Sequence, residues 1–275
     1  RHMTRQRNSR HDIERYSRLF AERAHVVKSS AMRDMMSITD RPEVISLASG
    51  MPDTKSFPKD VLESVFVDMA RHHSAELLQY TPTDGIDGVK DCIVEVMGAE
   101  GIRADRDNIL VTTGGQQAID VVTRVFVDPG DTIITEAHTY PGAVPSFLSF
   151  QAEAVQIDLD DEGMRIDLLE QELDRLDREG ITPKFIYTVP TFQNPAGVTM
   201  SLERRKRLVE IANERELLVL EDNPYGMLRY SGEPLPTLRE LDGGNFVIYL
   251  GTFSKILAPG LRMGWVEAPS PVLEK

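Results

Sequence analysis

Lys255 stands where the side chain of a lysine can become a nucleophile. It follows a strand predicted over Val247–Leu250, and Arg262 comes seven positions later, after a turn at Pro259-Gly260. A lysine in water has a pKa near ~10.4, whereas burial at the end of a core strand lowers that pKa. An amine that attacks a carbonyl carbon to form a Schiff base needs such a lowering. An ion pair at the strand end is the alternative explanation of this placement.

A carboxylate and two hydrogen-bond donors follow other predicted strands. Asp222 comes after the apolar strand Leu217–Leu220, where a bare carboxylate is costly unless it meets a cation. A protonated pyridine nitrogen would be such a cation, and a turn aspartate before Pro224 is the alternative. Asn194 and Tyr225 could donate to a phenolate oxygen and so set the pKa of a neighbouring imine, or could simply bond within their loops.

Two further strand ends carry residues suited to a flat, anionic ligand. The segment Gly114-Gly115-Gln116 lies between a strand, Ile109–Val111, and a helix, Gln116–Phe126. Backbone N–H groups at the start of a helix favour a bound anion, although paired glycines also mark ordinary turns. Tyr140 follows the strand Thr132–Thr135 and could stack on an aromatic ring, or could be a half-buried aromatic residue.

These residues all depend on a predicted α/β fold. Apolar runs bounded by turn residues alternate with amphipathic segments, which predicts a mainly parallel sheet flanked by helices. In such a sheet, ligands bind at the carboxyl ends of the strands. The other predicted elements are an N-terminal helical arm over His11–Ile38, strands Val44–Leu47, Ala154–Ile157 and Phe185–Thr188, and helices from about Lys59, over Val89–Met97, Gly142–Phe150, Leu168–Leu176 and Leu202–Glu214.

The composition excludes several classes of protein. The 275 residues are 41% hydrophobic and 27% charged, as in ordinary globular proteins, and no apolar run is long enough to span a bilayer. A net charge of −13 opposes binding to nucleic acids or anionic membranes and favours small metabolites. Cys92 is the single cysteine, and no histidine spacing typical of a metal site occurs. We therefore expect a cytoplasmic protein without a metal.

Taken in order, these motifs resemble those of a known family, the fold-type I pyridoxal-phosphate (PLP) enzymes of the aspartate aminotransferase superfamily. The resemblance rests on Thr252-Phe253-Ser254-Lys255 followed by Pro259-Gly260-Leu261-Arg262-Met263-Gly264, preceded by Asn194-Pro195 and by Asp222 and Tyr225. Within that superfamily, the chain looks most like the 2-aminoadipate and kynurenine aminotransferase branch. The segments that carry this closer resemblance are 30–35, 45–53, 78–85 and 112–118.

The resemblance implies a role for each of these residues. Lys255 would form the Schiff base with PLP and carry the proton that leaves the substrate's α-carbon. Asp222 would face the pyridine nitrogen, Asn194 and Tyr225 the phenolic oxygen, and Tyr140 the ring. The residues implied to hold the phosphate are Gly114, Gly115, Gln116, Thr252, Ser254, Arg262 and, from a partner subunit, Tyr80. Gly115 and Thr252 stand where the family often has serine, which removes a hydroxyl at residue 115 but leaves the backbone donors.

Substrate binding and domain organisation also follow from the resemblance. Gly50 and Asn194 would lie beside the substrate, and Arg33 would bind its distal carboxylate. Residues 1–50 would form the N-terminal arm and the start of a small domain, and residues 51–275 the PLP-binding large domain. Members of the family continue into a small C-terminal domain that supplies the arginine for the substrate's α-carboxylate. We expect that domain to be missing from this chain.

The implied activity is amino-group transfer between an amino acid and a 2-oxo acid, carried out by a homodimer. Amino donors consistent with it are 2-aminoadipate, glutamate, and aromatic or branched-chain amino acids. Two alternatives remain open at this point. One is a PLP-dependent β-lyase or decarboxylase, because the reaction depends on which bond at the α-carbon is broken. The other is the PLP-sensing domain of a MocR-type transcription regulator.

Overall fold

The central sheet is built from strands whose residues are apolar on both faces. In the computed structural model, which describes residues 16–26, 43–45 and 50–275, the neighbours Ile186 and Tyr187 belong to cores on opposite faces of the sheet. Two-sided burial of this kind requires helices over both faces. The strands are β1 (Ile109–Thr112), β2 (Thr132–Glu136), β3 (Glu153–Ile157), β4 (Leu159–Asp160), β5 (Gly163–Met164), β6 (Phe185–Thr188), β7 (Leu218–Asp222), β8 (Val247–Thr252) and β9 (Gly264–Glu267).

Within residues 50–275, seven strands form one sheet in the order β1-β9-β8-β7-β6-β2-β3, and β4 pairs with β5 outside it. Strands β3, β2, β6, β7 and β8 run parallel, whereas β9 lies antiparallel between β8 and β1. The predicted fold class is confirmed. The sequence does not predict β9, because this strand begins at a glycine and ends at a glutamate and so lacks the continuous apolar run that marks the predicted strands.

Helices cover both faces of the sheet. On one face, α5 packs Ala118, Ile119 and Val122 against the strands, at the spacing that one side of a helix presents. On the other face, α7 and α8 bury an apolar stripe that includes Leu169 and Leu208. The helices are α1 (Glu22–Val26), α2 (Lys59–His72), α3 (Ser74–Leu77), α4 (Asp87–Ala99), α5 (Gly115–Phe126), α6 (Val144–Ser149), α7 (Ile166–Glu179), α8 (Leu202–Glu214), α9 (Leu238–Asp242) and α10 (Ser270–Leu273).

The structure covers the predicted N-terminal elements only in part. Within the predicted arm, residues 16–26 are described and contain a 3-10 turn, Ser17–Leu19, and α1. The prediction of a strand over residues 44–47 is wrong for Val44 and Ile45, which belong to no strand, and Ile45 is exposed to solvent. The rest of both segments lies outside the described residues. In the part of the chain that the structure describes, no helix has the length and apolar character needed to cross a bilayer.

Candidate active site

Gly264, the first residue of β9, brings the ends of two other strands together. It pairs with Thr112 at the end of β1 and with Thr252 at the end of β8. A Cβ at residue 264 would lie 2.7 Å from the carbonyl carbon of Gly114 and from the nitrogen of Gly115. Only glycine allows so close an approach of two backbones. The turns after β1 and β8 and the turn before β9 therefore meet at one edge of the sheet.

The turn after β1 is suited to an anion. Gly114 has φ 79° and ψ 167°, a conformation that favours glycine, and it immediately precedes α5. The first N–H groups of α5 have no partner within the helix, and the helix dipole adds positive potential there. Arg262, at φ 54°, donates from Nη2 to the carbonyl oxygen of Thr113 at 3.3 Å. A Cβ at residue 114 would lie 2.5 Å from the same nitrogen, so the guanidinium covers the turn.

Side chains near this turn have partners of their own. Thr252 Oγ1 lies 2.9 Å from Ser254 Oγ and 3.1 Å from the carbonyl oxygen of Met263. These contacts fix the turn after β8. Gln116 directs its side chain to α6, where Nε2 donates to Ser146 Oγ at 3.0 Å. The backbone of Gln116, rather than its side chain, is therefore the part that can bind an anion at the start of α5.

Lys255 lies in the turn that follows β8 and is half-buried. Burial lowers the pKa of its amino group, because the charged form loses hydration. Among the residues that the structure describes, no carboxylate forms an ion pair with Lys255, and burial is the cause of the lowering. The local surroundings therefore make the amine easier to deprotonate than a lysine in water, and they do not provide a structural ion pair.

Asp222 ends β7, the strand beside β8, with 6% of its surface exposed. Its Oδ2 accepts a hydrogen bond from the hydroxyl of Tyr187 at 2.6 Å. Burial raises the pKa of Asp222 to about 6, and the hydrogen bond from Tyr187 opposes that rise. The carboxylate thus lacks a cationic partner among the described residues, and a cation bound beside it would stabilise its charge.

Tyr140 and Tyr225 lie near enough to this carboxylate to be affected by its charge, and Asn194 contacts Tyr225. Asn194 Nδ2 is 3.4 Å from the Tyr225 hydroxyl, and the bond from Asn194 to Pro195 is cis. Burial raises the pKa of both tyrosines, and the charge of Asp222 raises each of them further. The ring of Tyr140 lies against residue 142, a glycine at which a Cβ would stand 2.4 Å from the Tyr140 Cζ. The structure therefore brings the two predicted tyrosines near Asp222 and places Asn194 beside one of them.

Other predicted residues are not brought to this edge by the described part of the chain. The side chain of Tyr80 is 98% exposed. Gly50 is exposed, with φ 56°, and Arg33 lies outside the described residues. Among the described residues, no group of three or more His, Cys, Asp or Glu side chains is arranged to hold a metal ion.

Three further buried residues in this region are not predicted from the sequence. Tyr187 stands within β6, Glu136 ends β2, and Gln193 lies in the loop after β6. Burial raises the pKa of Glu136 to about 7, and the charge of Asp222 adds to that rise. The signal for Glu136 is a glutamate that directly extends the apolar strand 132–135. Tyr187 and Gln193 have no local signal, because their partners are distant in the sequence.

Comparison with known proteins assigns the chain to a family. Residues 42–275 match the model of aminotransferase class I and II. The chain belongs to this family. Among curated proteins, it is similar to aromatic-amino-acid aminotransferase 1 of Thermococcus litoralis, with 45% identity over 94% of the chain and 63% of that protein.

Two solved structures of aminotransferases have the same architecture. The multiple substrate aminotransferase from Thermococcus profundus matches with a TM-score of 0.88 and 43% identity, covering 94% of this chain and 64% of that one. LysN, the α-aminoadipate aminotransferase of Thermus thermophilus, matches with a TM-score of 0.85 and 34% identity over the same shares. LysN was solved with N-(5'-phosphopyridoxyl)-L-leucine bound. This member of the family thus spans less than two thirds of the length of these relatives.

Proposed function

We propose that this chain is the cofactor-binding part of a PLP-dependent aminotransferase that exchanges an amino group between an amino acid and a 2-oxo acid. The observation that carries the proposal is the placement of Lys255 and Asp222 at the ends of the adjacent parallel strands β8 and β7. Lys255 offers an amine with a lowered pKa, and Asp222 offers a buried carboxylate that has no cationic partner among the described residues.

The surrounding residues fit a pyridoxal-type cofactor. The anion site at the start of α5, covered by Arg262, suits a phosphate. Asp222 would hold a proton on the pyridine nitrogen, and Tyr140 would lie against the ring. Asn194 and Tyr225 would donate to the phenolic oxygen. Thr252 and Ser254 complete the phosphate-binding set at the turn after β8.

When bound, PLP supplies an electron sink for electrons released at the substrate's α-carbon. The rest of the chemistry belongs to the chain. The half-buried amine of Lys255 would hold the cofactor covalently and, once released, would take a proton from the α-carbon as a general base. Its lowered pKa favours the unprotonated form that both roles require. Asp222, unprotonated above its pKa of about 6, would keep its positive partner in place at neutral pH.

We also propose which residues contact the substrate, how the chain divides into domains and how it assembles. Gly50, Asn194 and Arg33 would contact the substrate, with residues 1–50 as the arm and 51–275 as the large domain. The nearly full exposure of Tyr80 supports a homodimer in which this residue serves the partner's site. The single cysteine is consistent with a cytoplasmic location.

The proposal is tested by adding PLP to the protein and recording its absorption before and after borohydride reduction. Peptide mapping is expected to find the reduced cofactor on Lys255. The Lys255→Ala variant should lose this attachment, whereas Lys206→Ala, at an exposed lysine of α8, should retain it. Attachment at another lysine, or none in the unchanged protein, would contradict the proposal. Transfer of an amino group to an added 2-oxo acid, followed by mass spectrometry, tests the reaction type.

A further inference from the structure

Glu136 is buried at the end of β2, and all of its described partners are hydrogen-bond donors. Its Oε1 accepts from Thr188 Oγ1 at 2.6 Å. Its Oε2 accepts from the nitrogen of Val189 at 3.3 Å and from Gln193 Nε2 at 2.9 Å. The carboxylate therefore joins the end of β2 to the end of β6 and to the loop that follows β6.

Gln193 carries this connection into the loop. Its Nε2 also donates to the carbonyl oxygen of His138 at 2.5 Å, and its Oε1 accepts from the nitrogen of Ala196 at 2.7 Å. Only 2% of the surface of Gln193 is exposed. The donor of this amide group thus links the loop to the end of β2, while its acceptor bonds within the loop itself.

The loop 190–200 is held at its centre by the side chain of Gln193 and by hydrogen bonds within the loop, such as that from the nitrogen of Gln193 to the carbonyl oxygen of Val198 at 2.8 Å. Its ends are held by Arg205, which donates to the carbonyl oxygens of Pro190 and Met200 at 2.8 and 2.9 Å. Between these ends stands Asn194, the residue after Gln193, which donates to the Tyr225 hydroxyl at 3.4 Å. Because Gln193 and Asn194 are adjacent, a shift of one displaces the other.

We propose that Glu136 and Gln193 are positioning residues that hold Asn194 in place against Tyr225 and the phenolic oxygen of a bound cofactor. This inference rests on the proposed function for its second half, the orientation towards the cofactor. The first half, the fixing of the loop 190–200, concerns the chain alone and can be measured without PLP. Burial raises the pKa of Glu136 to about 7, so near neutral pH this carboxyl group is only partly ionised.

Gln193→Met is the variant that breaks the connection, because it keeps the length of the side chain and removes its donor and acceptor. Glu136→Gln is the conservative comparison. Its oxygen can accept from Val189 and Gln193, and its amide can donate to Thr188, whose hydroxyl either donates or accepts. Glu100→Gln is the control, since Glu100 is a partly buried carboxylate with a raised pKa that accepts from the Tyr249 hydroxyl and from Asn223 Nδ2 instead.

Hydrogen exchange of cofactor-free protein is the first readout. In Gln193→Met, amides of the loop 190–200 should exchange about tenfold faster, as expected for the loss of one to two hydrogen bonds. The Glu136→Gln and Glu100→Gln variants should exchange there at the rate of the unchanged protein. Unchanged exchange in Gln193→Met would overturn the inference.

The second readout is the pH midpoint of the absorption change of bound PLP. If Asn194 and Tyr225 donate more weakly, the phenolic oxygen keeps more negative charge. That charge favours the protonated form of the Schiff-base nitrogen contributed by Lys255, which is the group whose titration changes the absorption. We expect the midpoint in Gln193→Met to rise by about half a unit or more. A faster-exchanging loop with an unchanged midpoint would refute the orientation towards the cofactor. Failure of the unchanged protein to bind PLP would refute the proposed function, while the exchange data would still decide whether Gln193 fixes the loop.

Discussion

The hydroxyl of Tyr187 donates to the carboxylate of Asp222 across 2.6 Å, inside the sheet and between the adjacent strands β6 and β7. Burial raises the pKa of Asp222 to about 6, and this hydrogen bond lowers the pKa because it stabilises the ionised form. Tyr187 therefore helps to keep Asp222 negative at neutral pH. A negative Asp222 is the form that would stabilise a protonated pyridine nitrogen.

Tyr187→Phe should weaken the binding of PLP about fivefold, since a hydrogen bond of this kind contributes about 1 kcal/mol. The pKa of Asp222 should rise further, because its ionised form loses a donor. Affinity is expected to fall as the pH drops through that pKa, so the fall should begin at a higher pH in the variant. Equilibrium titration with PLP between pH 5 and 8, followed by fluorescence, measures both effects.

A matched control lies on β8. Tyr249 is buried like Tyr187 and donates to Glu100 Oε2, also at 2.6 Å. Its ring faces Trp265, in a different core from that of Tyr187. Tyr249→Phe should therefore leave the pH dependence of PLP binding unchanged. If both variants behave alike, the effect comes from general loosening of the fold and not from Asp222.

Gly264→Ala should damage both the fold and the anion site. The new Cβ would stand 2.7 Å from backbone atoms of Gly114 and Gly115, which cannot move without displacing the turn before α5. We expect a loss of about 2–4 kcal/mol in the free energy of unfolding. Denaturant unfolding of cofactor-free protein measures the first effect, and titration with PLP measures the second.

Gly260→Ala is the comparison for this substitution. Gly260 lies in the 3-10 turn just before β9, and a Cβ there would have no atom within 4 Å. Its unfolding free energy and its affinity for PLP should stay close to those of the unchanged protein. Equal damage from both substitutions would mean that the segment 259–264 tolerates no added side chain, and that contact with Gly114 is not the cause.

The sequence predicts the parts of this site that are local. Lys255 and Asp222 each come within a few residues of a predicted apolar strand, and Gly114 directly precedes a helix, so residue type and position along the sequence are enough to predict them. The hydrogen bonds that orient these residues join distant positions. Tyr187 and Asp222 are 35 residues apart, and Glu136 and Gln193 are 57 residues apart. No short pattern reports such pairs, because they depend on the order of strands in the sheet.

The same distinction applies to the fold. Buried parallel strands such as β7 are predicted by their continuous apolar character, whereas β9 is short and begins at Gly264, a residue typical of turns. Its place between β8 and β1 follows from backbone packing against Gly114 rather than from side-chain periodicity. For Val44 and Ile45, a short apolar run suggests a strand, but neither of these two residues belongs to a strand, and Ile45 is exposed.

Glu221→Gln should change how stability depends on pH. Burial raises the pKa of Glu221 from 4.5 to about 7, so between these values the folded state binds more protons than the unfolded state. The contribution of Glu221 to the free energy of unfolding must therefore fall as the pH rises through this window. Ionisation of Glu221 should cost the unchanged protein on the order of 2 kcal/mol between pH 5 and 8.

The glutamine variant lacks this ionisation, so its stability relative to the unchanged protein should improve from pH 5 to pH 8. Urea unfolding at both values provides the comparison. Glu153→Gln, at an exposed position of β3, should leave the pH dependence as it is. The difference in unfolding free energy between Glu221→Gln and the unchanged protein could instead stay constant from pH 5 to pH 8. That result would mean that ionisation of the carboxylate costs nothing, because its backbone donors and the nearby charge of Arg205 stabilise the charged form.

Lys255→Met separates the requirements of folding from those of cofactor binding. Burial lowers the pKa of Lys255 below its ordinary 10.5, so at neutral pH the protonated amine is less stable in the folded state than in the unfolded one. Replacing it with an apolar side chain removes this penalty. The cofactor-free variant should therefore have a melting temperature equal to or above that of the unchanged protein. Its advantage should shrink as the pH rises towards 10.5, where the lysine loses its proton in both states.

Added PLP should reverse the order of the two proteins. A ligand that binds only the folded state raises the melting temperature, and covalent attachment to Lys255 makes that rise large in the unchanged protein. Lys255→Met can offer only the non-covalent contacts of the anion site and Asp222, so its rise should be small. Lys206→Met, at an exposed lysine, should respond to PLP like the unchanged protein. A Lys255→Met variant that is less stable without cofactor would show that this amine supports the fold, which would weaken its assignment as a residue kept for chemistry.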